Sequence, residues 1–380
     1  MKFKSFSKVT SLRVSLDALA VFAWMSAIQV GYSQSPPPPP PLAEQFRRLQ
    51  NTWEEQTRPR SDGAPAPGIN NLHDFIAGYV ALAEAHPKDP VTCEALLWLN
   101  SRFRKMKGID KAEDLARREW PLAGEYFDIK REHDEAEEKY FEASQKAAND
   151  EQRQKVYEEN YPKPETFAGR FLALARKEPQ SPPGKEALLW IIQRARQGAD
   201  FDAALELALQ HHARSPGIGP VCSSLVYSKA DSAELFLREV AEKNPDTEAK
   251  GTAQLALARY LARKAEGIRF FKGGSLTPEQ LAHAESYHGK ERLAKLQATD
   301  PAALSDEAER LFAQVAAQYD SVRTHSGSLA DDAKAELFEM RNLGIGKVAP
   351  EIEGEDVDGK KFKLSDYRGK VVVIDFWGDW

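Results

Sequence analysis

Part of this chain is written twice, and that repetition constrains its fold more than any other feature. Residues 75–98 laid over residues 167–190, a shift of 92 with no gap, agree at 11 of 24 positions, where about two would agree by chance at average composition. The matches include Ala81-Leu82-Ala83 with Ala173-Leu174-Ala175, Pro87 with Pro179, and Glu94-Ala95-Leu96-Leu97-Trp98 with Glu186-Ala187-Leu188-Leu189-Trp190. Each copy reads as a helix, a proline-containing break and a second helix. A looser copy runs through Val240-Ala241-Glu242, Pro245, Leu255 and Leu257, and a fourth begins at Leu311-Phe312 and continues from Ala333 to Leu337. Such units bury their apolar faces against their neighbours, so the expected fold is mostly α, with α-solenoid-like helical hairpin repeats over 71–343. Trp98 and Trp190 share one repeat position, which predicts packing residues rather than ligand contacts.

Gly198 to Pro216 resembles a tetratricopeptide helix, with Phe201, Ala204, Ala208 and Pro216 near the expected places. Residues 125–160 differ from the repeats, being dense in Glu, Lys, Asp and Gln with a narrow stripe of Ala136, Tyr140, Ala143 and Ala147. That pattern predicts one long, charged, exposed helix, with a partner-binding helix as the alternative. The linkers are residues 58–68, rich in Pro and Gly, and the stretch around Gly273-Gly274.

The N-terminal residues have a different character. Lys2, Lys4, Lys8 and Arg13 precede an apolar stretch from Ala18 to Val30, and Gly31 and Ser33 then offer small residues for cleavage. This order predicts a secretory signal over 1–33, an uncleaved membrane anchor being the alternative. Six prolines at 36–41 follow, so 34–70 is expected to hold a stiff Pro-rich linker and a short helix. The expected location is exported, periplasmic or cell-envelope, with membrane contact through an uncleaved signal.

Charge and side-chain chemistry exclude several classes. With 52 Lys and Arg against 58 Asp and Glu, the chain stands at −6, and at −9 once residues 1–33 are set aside. No nucleic-acid partner is expected, because the chain lacks a dense basic footprint. Cys93 and Cys222 are the two cysteines. They are expected to be ordinary thiols, Lys185 standing where Cys93 stands in the first repeat; a disulfide between them is the alternative. No metal is expected: His211 and His212 are adjacent, and His283 and His288 are five apart, neither being the three or four that joint ligation on a helix needs. No phosphate-binding loop, dinucleotide glycine pattern or nucleophile elbow occurs, and no cofactor is expected.

The functional signal lies in 347–380. Asp358-Gly359 between two extended runs predicts a tight type I′ hairpin turn, which needs the positive φ that glycine tolerates. Leu364-Ser365-Asp366-Tyr367 predicts a short helical turn with Ser365 as its cap. Val371 to Trp377 is a near-continuous apolar run, as in a strand buried on both faces. The series Ala349-Pro350, Asp358-Gly359-Lys360, Leu364-Ser365-Asp366, Gly369-Lys370 and Phe376-Trp377-Gly378-Asp379-Trp380 resembles the start of a thioredoxin-like domain, that of the exported TlpA/ResA-type thiol-disulfide oxidoreductases. The resemblance implies the first β-hairpin and strand of an incomplete α/β thioredoxin-like domain.

It further implies a CxxC directly after Trp380, where a helix N-terminus lowers the pKa of the attacking thiol. Asp375 matches the buried aspartate that relays the proton of the second cysteine, so Asp375 and Trp380 are the candidate catalytic residues flanking the CxxC. The residues printed here include no such pair. The expectation is a reading frame that continues past Trp380 into a Cys codon, a nonsense change of that codon and a UGA that encodes selenocysteine being the alternatives. The implied partners are extracytoplasmic protein thiols or disulfides, with a protein partner on the helical repeats. Peroxiredoxins share much of the lead-in but place Pro and Thr before their cysteine, and are the alternative enzyme. A non-enzymatic helical-repeat scaffold is the alternative from another class.

Overall fold

The computed structural model describes residues 40–57, 72–272, 277–324, 327–344 and 346–375. The expected signal over 1–33, most of the proline run, the linkers at 58–68 and 273–274, and residues 376–380 with Trp380 lie outside the described residues. The protein is mostly helical, with a small two-stranded antiparallel sheet. It divides into two compact units, residues up to 162 with 181–186, and residues 163–180 with 187 onward. Among the described residues no helix is long and apolar enough to cross a membrane.

The first unit holds α1 (Leu42–Thr57), α2 (Leu72–Ala85), α3 (Pro90–Phe103), α4 (Ile109–Glu119), α5 (Pro121–Lys146) and α6 (Asp150–Asn160). Helix α3 starts where Asp89 accepts from Val91 N at 2.9 Å and Pro90 occupies the first turn, where its missing N–H is harmless. It buries eight of its residues, from Thr92 to Phe103. Rings on α1, α2 and α3 close the core: Phe46 lies 5.0 Å from Tyr79, and Trp53 meets Phe103 edge-on at 4.5 Å. Residues 34–70, read as linker and short helix, thus contribute a packed helix.

Two helices occupy the stretch expected to be one long charged helix. Helix α5 buries residues as far as His133 and continues half-buried to exposed; α6 buries none. The break falls at Ala147, which is extended, and Asn149 caps α6 by accepting from Gln152 N at 2.9 Å. Asn competes with helix continuation by offering this local bond. The seam is aromatic, Tyr161 meeting Tyr140 at 5.3 Å and Tyr157 at 5.0 Å.

The second unit contains α7 (Pro164–Lys177), α8 (Pro182–Arg194, its first turn counted with the first unit), α9 (Ala199–His212), α10 (Gly219–Ser224), α11 (Asp231–Lys243) and α12 (Thr247–Lys272). Then come α13 (Pro278–His288), α14 (Lys290–Ala298), α15 (Pro301–Gln318) and α16 (Leu329–Asn342). Buried polar side chains tie successive turns together. His212 Nε2 donates to Pro179 O at 2.6 Å, and Asn244 Nδ2 donates to Ala213 O and Ser215 O at 2.8 and 3.0 Å.

The 92-residue shift is kept in the structure, since α2 and α7 start at 72 and 164, and α3 and α8 at 90 and 182. The aromatic pair is kept too: Tyr79 stacks on Trp98 at 5.6 Å in the first unit, and Phe171 lies 4.3 Å from Trp190 in the second. Both tryptophans pack against the preceding helix, as their shared repeat position predicts. The smaller repeating element is the helical hairpin, beginning at 164, 199 and 231 in the second unit.

Two predictions follow from packing. A Cβ on Gly251 would sit 2.6 Å from the ring of Tyr319, which is buried between α12 and α15. Gly251→Ala is therefore expected to destabilise by about 1–3 kcal/mol in chemical denaturation, even though Ala favours an open helix by about 1 kcal/mol. In the first unit Lys185 Nζ is engaged with Glu94 at 2.8 Å. Burial, with the Glu94 charge adding to it, raises the pKa of Glu186 against the Lys185 cation. A raised carboxyl pKa means that stability falls as pH climbs through the carboxylate range. Glu186→Gln should stabilise the protein by about 1 kcal/mol at pH 7 and little at pH 4, read from unfolding midpoints at the two pH values.

Candidate functional site

The C-terminal segment is built around a short hairpin. Strand β1 (Glu353–Glu355) pairs antiparallel with β2 (Lys361–Lys363), Gly354 opposite Phe362. Gly354 fits because the Phe362 ring lies across it; a Cβ there would come within 3.2 Å of the ring. Lys363 Nζ pairs with Glu353 across the strands. The connecting turn is wider than the predicted type I′ turn, because Gly359 has φ 77° while Asp358 keeps a negative φ. The reason is Asp356: its carboxylate accepts from Asp358 N at 3.0 Å and Lys360 N at 2.9 Å, and its carbonyl accepts from Gly359 N at 2.9 Å. Those bonds favour a longer loop closed by one left-handed glycine.

A 3₁₀ turn, Leu364–Tyr367, comes next. Its cap is Asp366, which accepts from Lys363 N at 2.9 Å, rather than the predicted Ser365. Ser365 N donates instead to Glu351 Oε1 at 3.0 Å, and the Ser365 side chain together with this N–H holds the Glu351 carboxyl below its ordinary pKa. The ring of Tyr367 meets Phe362 edge-on at 6.5 Å, and Lys370 Nζ sits 5.7 Å from the Tyr367 centroid.

Val371–Asp375 do not join the sheet, although the apolar run predicts a strand. Exposure alternates along them, 96% and 88% at Val371 and Val373 against 42% and 48% at Val372 and Ile374. That period of two is extended backbone without a partner strand. Asp375 is exposed, so the described residues do not form the buried setting that a proton relay requires. Trp380, the other candidate, lies beyond the described residues.

Away from this segment, the structure groups three ligand-type side chains that the histidine spacings did not flag. His133, Asp134 and Glu137 on α5 bring one ligand atom each within 4.8 Å of one another. His133 and Glu137 are four apart, a helical pair legible in the sequence. Asp134 is already engaged by Lys130 Nζ at 2.8 Å and Arg104 Nε at 3.3 Å. Burial alone would raise its pKa, but the His133, Lys130 and Arg104 contacts prevail and hold it low. A divalent cation would have to displace two resident cations, so the cluster is an ion-pair network in its present form. The side chains of His283 and His288 lie outside the described residues.

Cys93 and Cys222 are both free thiols, each fully buried. Burial pushes both pKa values up to about 12, with the Glu94 and Glu186 charges adding to it at Cys93. Neither resembles a reactive thiolate, which needs exposure and a lowered pKa.

The segment is a paired hairpin, a capped turn and an extended apolar run, and similar proteins give it a class. The chain contains a thiol-disulfide oxidoreductase-like region, thioredoxin-like in kind. The relatives are thiol-disulfide oxidoreductases ResA: that of Geobacillus thermodenitrificans is 40% identical over 42 residues, 11% of this chain and 24% of that protein. ResA of Bacillus thuringiensis subsp. konkukian is 50% identical over 38 residues, 10% of this chain and 22% of that protein. ResA of Bacillus anthracis is 43% identical over 42 residues. The chain thus spans less than a quarter of the length of these curated relatives. No protein-family model matches it, and no solved structure matches it.

Thiol accessibility tests this description. In the folded protein an aromatic disulfide reagent should titrate neither Cys93 nor Cys222 within minutes at pH 8, and both should react in denaturant. Rapid reaction of either thiol in the folded state would contradict their burial.

Proposed function

We propose that this chain belongs to an exported thiol-disulfide oxidoreductase in which helical hairpin repeats precede a thioredoxin-like domain. The observation that carries the reading is the 38–42-residue similarity to ResA proteins, together with the dense motif series in 347–380. On this reading the attacking cysteine follows Trp380. Its thiolate attacks a substrate disulfide to give a mixed disulfide, and the second cysteine of the CxxC resolves it, leaving the substrate reduced and the CxxC oxidised. Asp375 carries the proton of the second cysteine once later residues cover the strand of Val371–Ile374 and bury it. The basic, apolar and small-residue order of 1–33 supports export, and the proline run supports a spacer that holds the body away from its point of attachment. The substrates are extracytoplasmic protein thiols or disulfides.

A second reading, a helical-repeat scaffold acting through a partner, draws on the exposed hairpin of α5 and α6, whose outer helix buries no side chain. The two separate cleanly. The codons after position 380 should encode Cys-x-x-Cys, or UGA, two further codons and then Cys, within a frame open for roughly a hundred more residues, as a full domain requires. The polypeptide that includes those residues should reduce insulin disulfides, and a Cys→Ser change at the first position should abolish the activity. An open frame without the motif removes the enzyme reading and leaves the scaffold.

A further inference from the structure

The hairpin of α9 and α10 differs from its neighbours because its second helix stops early. Helix α10 runs for 6 residues and passes into one 3₁₀ turn, Leu225–Tyr227. The corresponding helices α8 and α12 run for 13 and 26 residues. Beside this shortened helix lies a cleft of about 260 Å³, lined by Arg196, Phe201, Ser223, Ser224, Tyr227 and Ser228. None of these residues is acidic.

Arg196 is the unusual member. It follows α8 with φ 61°, and among the described residues it is the one non-glycine with positive φ. Elsewhere the chain puts glycine in that region, as at Gly108, Gly198, Gly217 and Gly289. A helix end can be closed by a left-handed residue, and glycine does so without the steric penalty of a Cβ. The guanidinium of Arg196 is exposed and forms no ion pair with a described residue. No ion pair with a described residue accompanies this backbone conformation, and such an outlier points to a side chain kept for an external contact.

The other wall supplies complementary chemistry. Tyr227 is 71% exposed, and the guanidinium of Arg263 lies 4.2 Å from its ring centroid, which brings a second cation to the rim. Ser224 spends its proton on Val221 O at 2.7 Å, whereas Ser228 Oγ accepts from Ala230 N at 3.2 Å and keeps its own proton to donate. Guanidinium and hydroxyl donors beside two aromatic walls, with no carboxylate among them, match an oxyanion attached to an apolar group.

We propose that this cleft binds a ligand bearing a carboxylate or phosphate next to an aromatic or aliphatic group, with Arg196 as its anchor. The informative variant is Arg196→Gly, which removes the guanidinium and relaxes the backbone, so that lost binding is not confused with lost folding. Calorimetric titration of the whole chain would use phenyl phosphate, the blocked dipeptide acetyl-Asp-Phe-amide, and inorganic phosphate. At least one of the first two should bind with a Kd below ~1 mM, and inorganic phosphate about tenfold more weakly. Arg196→Gly should melt no lower than the parent and lose about tenfold or more in affinity. Binding of phenyl phosphate alone supports a free small anion, and binding of the dipeptide supports an acidic protein segment. Failure of both organic probes, or undiminished binding by Arg196→Gly, overturns the proposal.

Discussion

The second unit depends on buried side chains that reach from one interhelical turn back to the turn before. Stacked helical hairpins bury the ends of their helices, where the last carbonyls have no partner within the helix. His212 donates to the carbonyl of Pro179 in the turn after α7, and Asn244 donates to those of Ala213 and Ser215 in the turn after α9. Apolar faces alone hold helices together without fixing their longitudinal offset. A donor that is buried and committed to one carbonyl does fix it, because a slip would strand both groups away from water. The first unit uses a related device within a single hairpin, where Thr92 Oγ1 donates to His86 O at 2.8 Å. The bonds of Asn244 hold the turn that leads into the shortened helix α10.

The hairpins were legible because prolines mark their turns and because the aromatic pair survives in both copies, Tyr79 with Trp98 and Phe171 with Trp190. The hairpin as the repeating element was not, since strong identity remains only between hairpins 92 residues apart and the helices between them have diverged. The division of α5 from α6 was hidden in a run of charged helix formers, where one Asn cap decides the matter. The short helix expected within 34–70 is α1; its sequence is mostly polar, and its packing, through Phe46 on Tyr79 and Trp53 on Phe103, was not legible.

In the C-terminal segment the hairpin was legible from Asp358-Gly359-Lys360, but its turn geometry was not. The deciding group is the carboxylate of Asp356, and whether a side chain caps a turn depends on loop shape rather than on the turn dipeptide. Glu351, distant in sequence, engages Ser365 through its side chain and its N–H, while Asp366 accepts from Lys363 N. The His133 cluster escaped notice for a related reason: searching histidines against histidines overlooks one that shares a helical turn with carboxylates. Asp375 is exposed, and Val371–Ile374 make no layer that would bury it.

The hairpin of β1 and β2 has a bearing on the order in which this region assembles. Its strands meet through a short loop, all of its contacts are local, and hairpins of this kind close in about 1–10 μs. Nothing in its pairing draws on Val371–Ile374. On a chain being synthesised, the hairpin and its capped turn are therefore finished while the apolar run behind them is still uncovered. The four apolar residues are an exposed, unpaired edge, open to chaperones or to the matching edge of another chain.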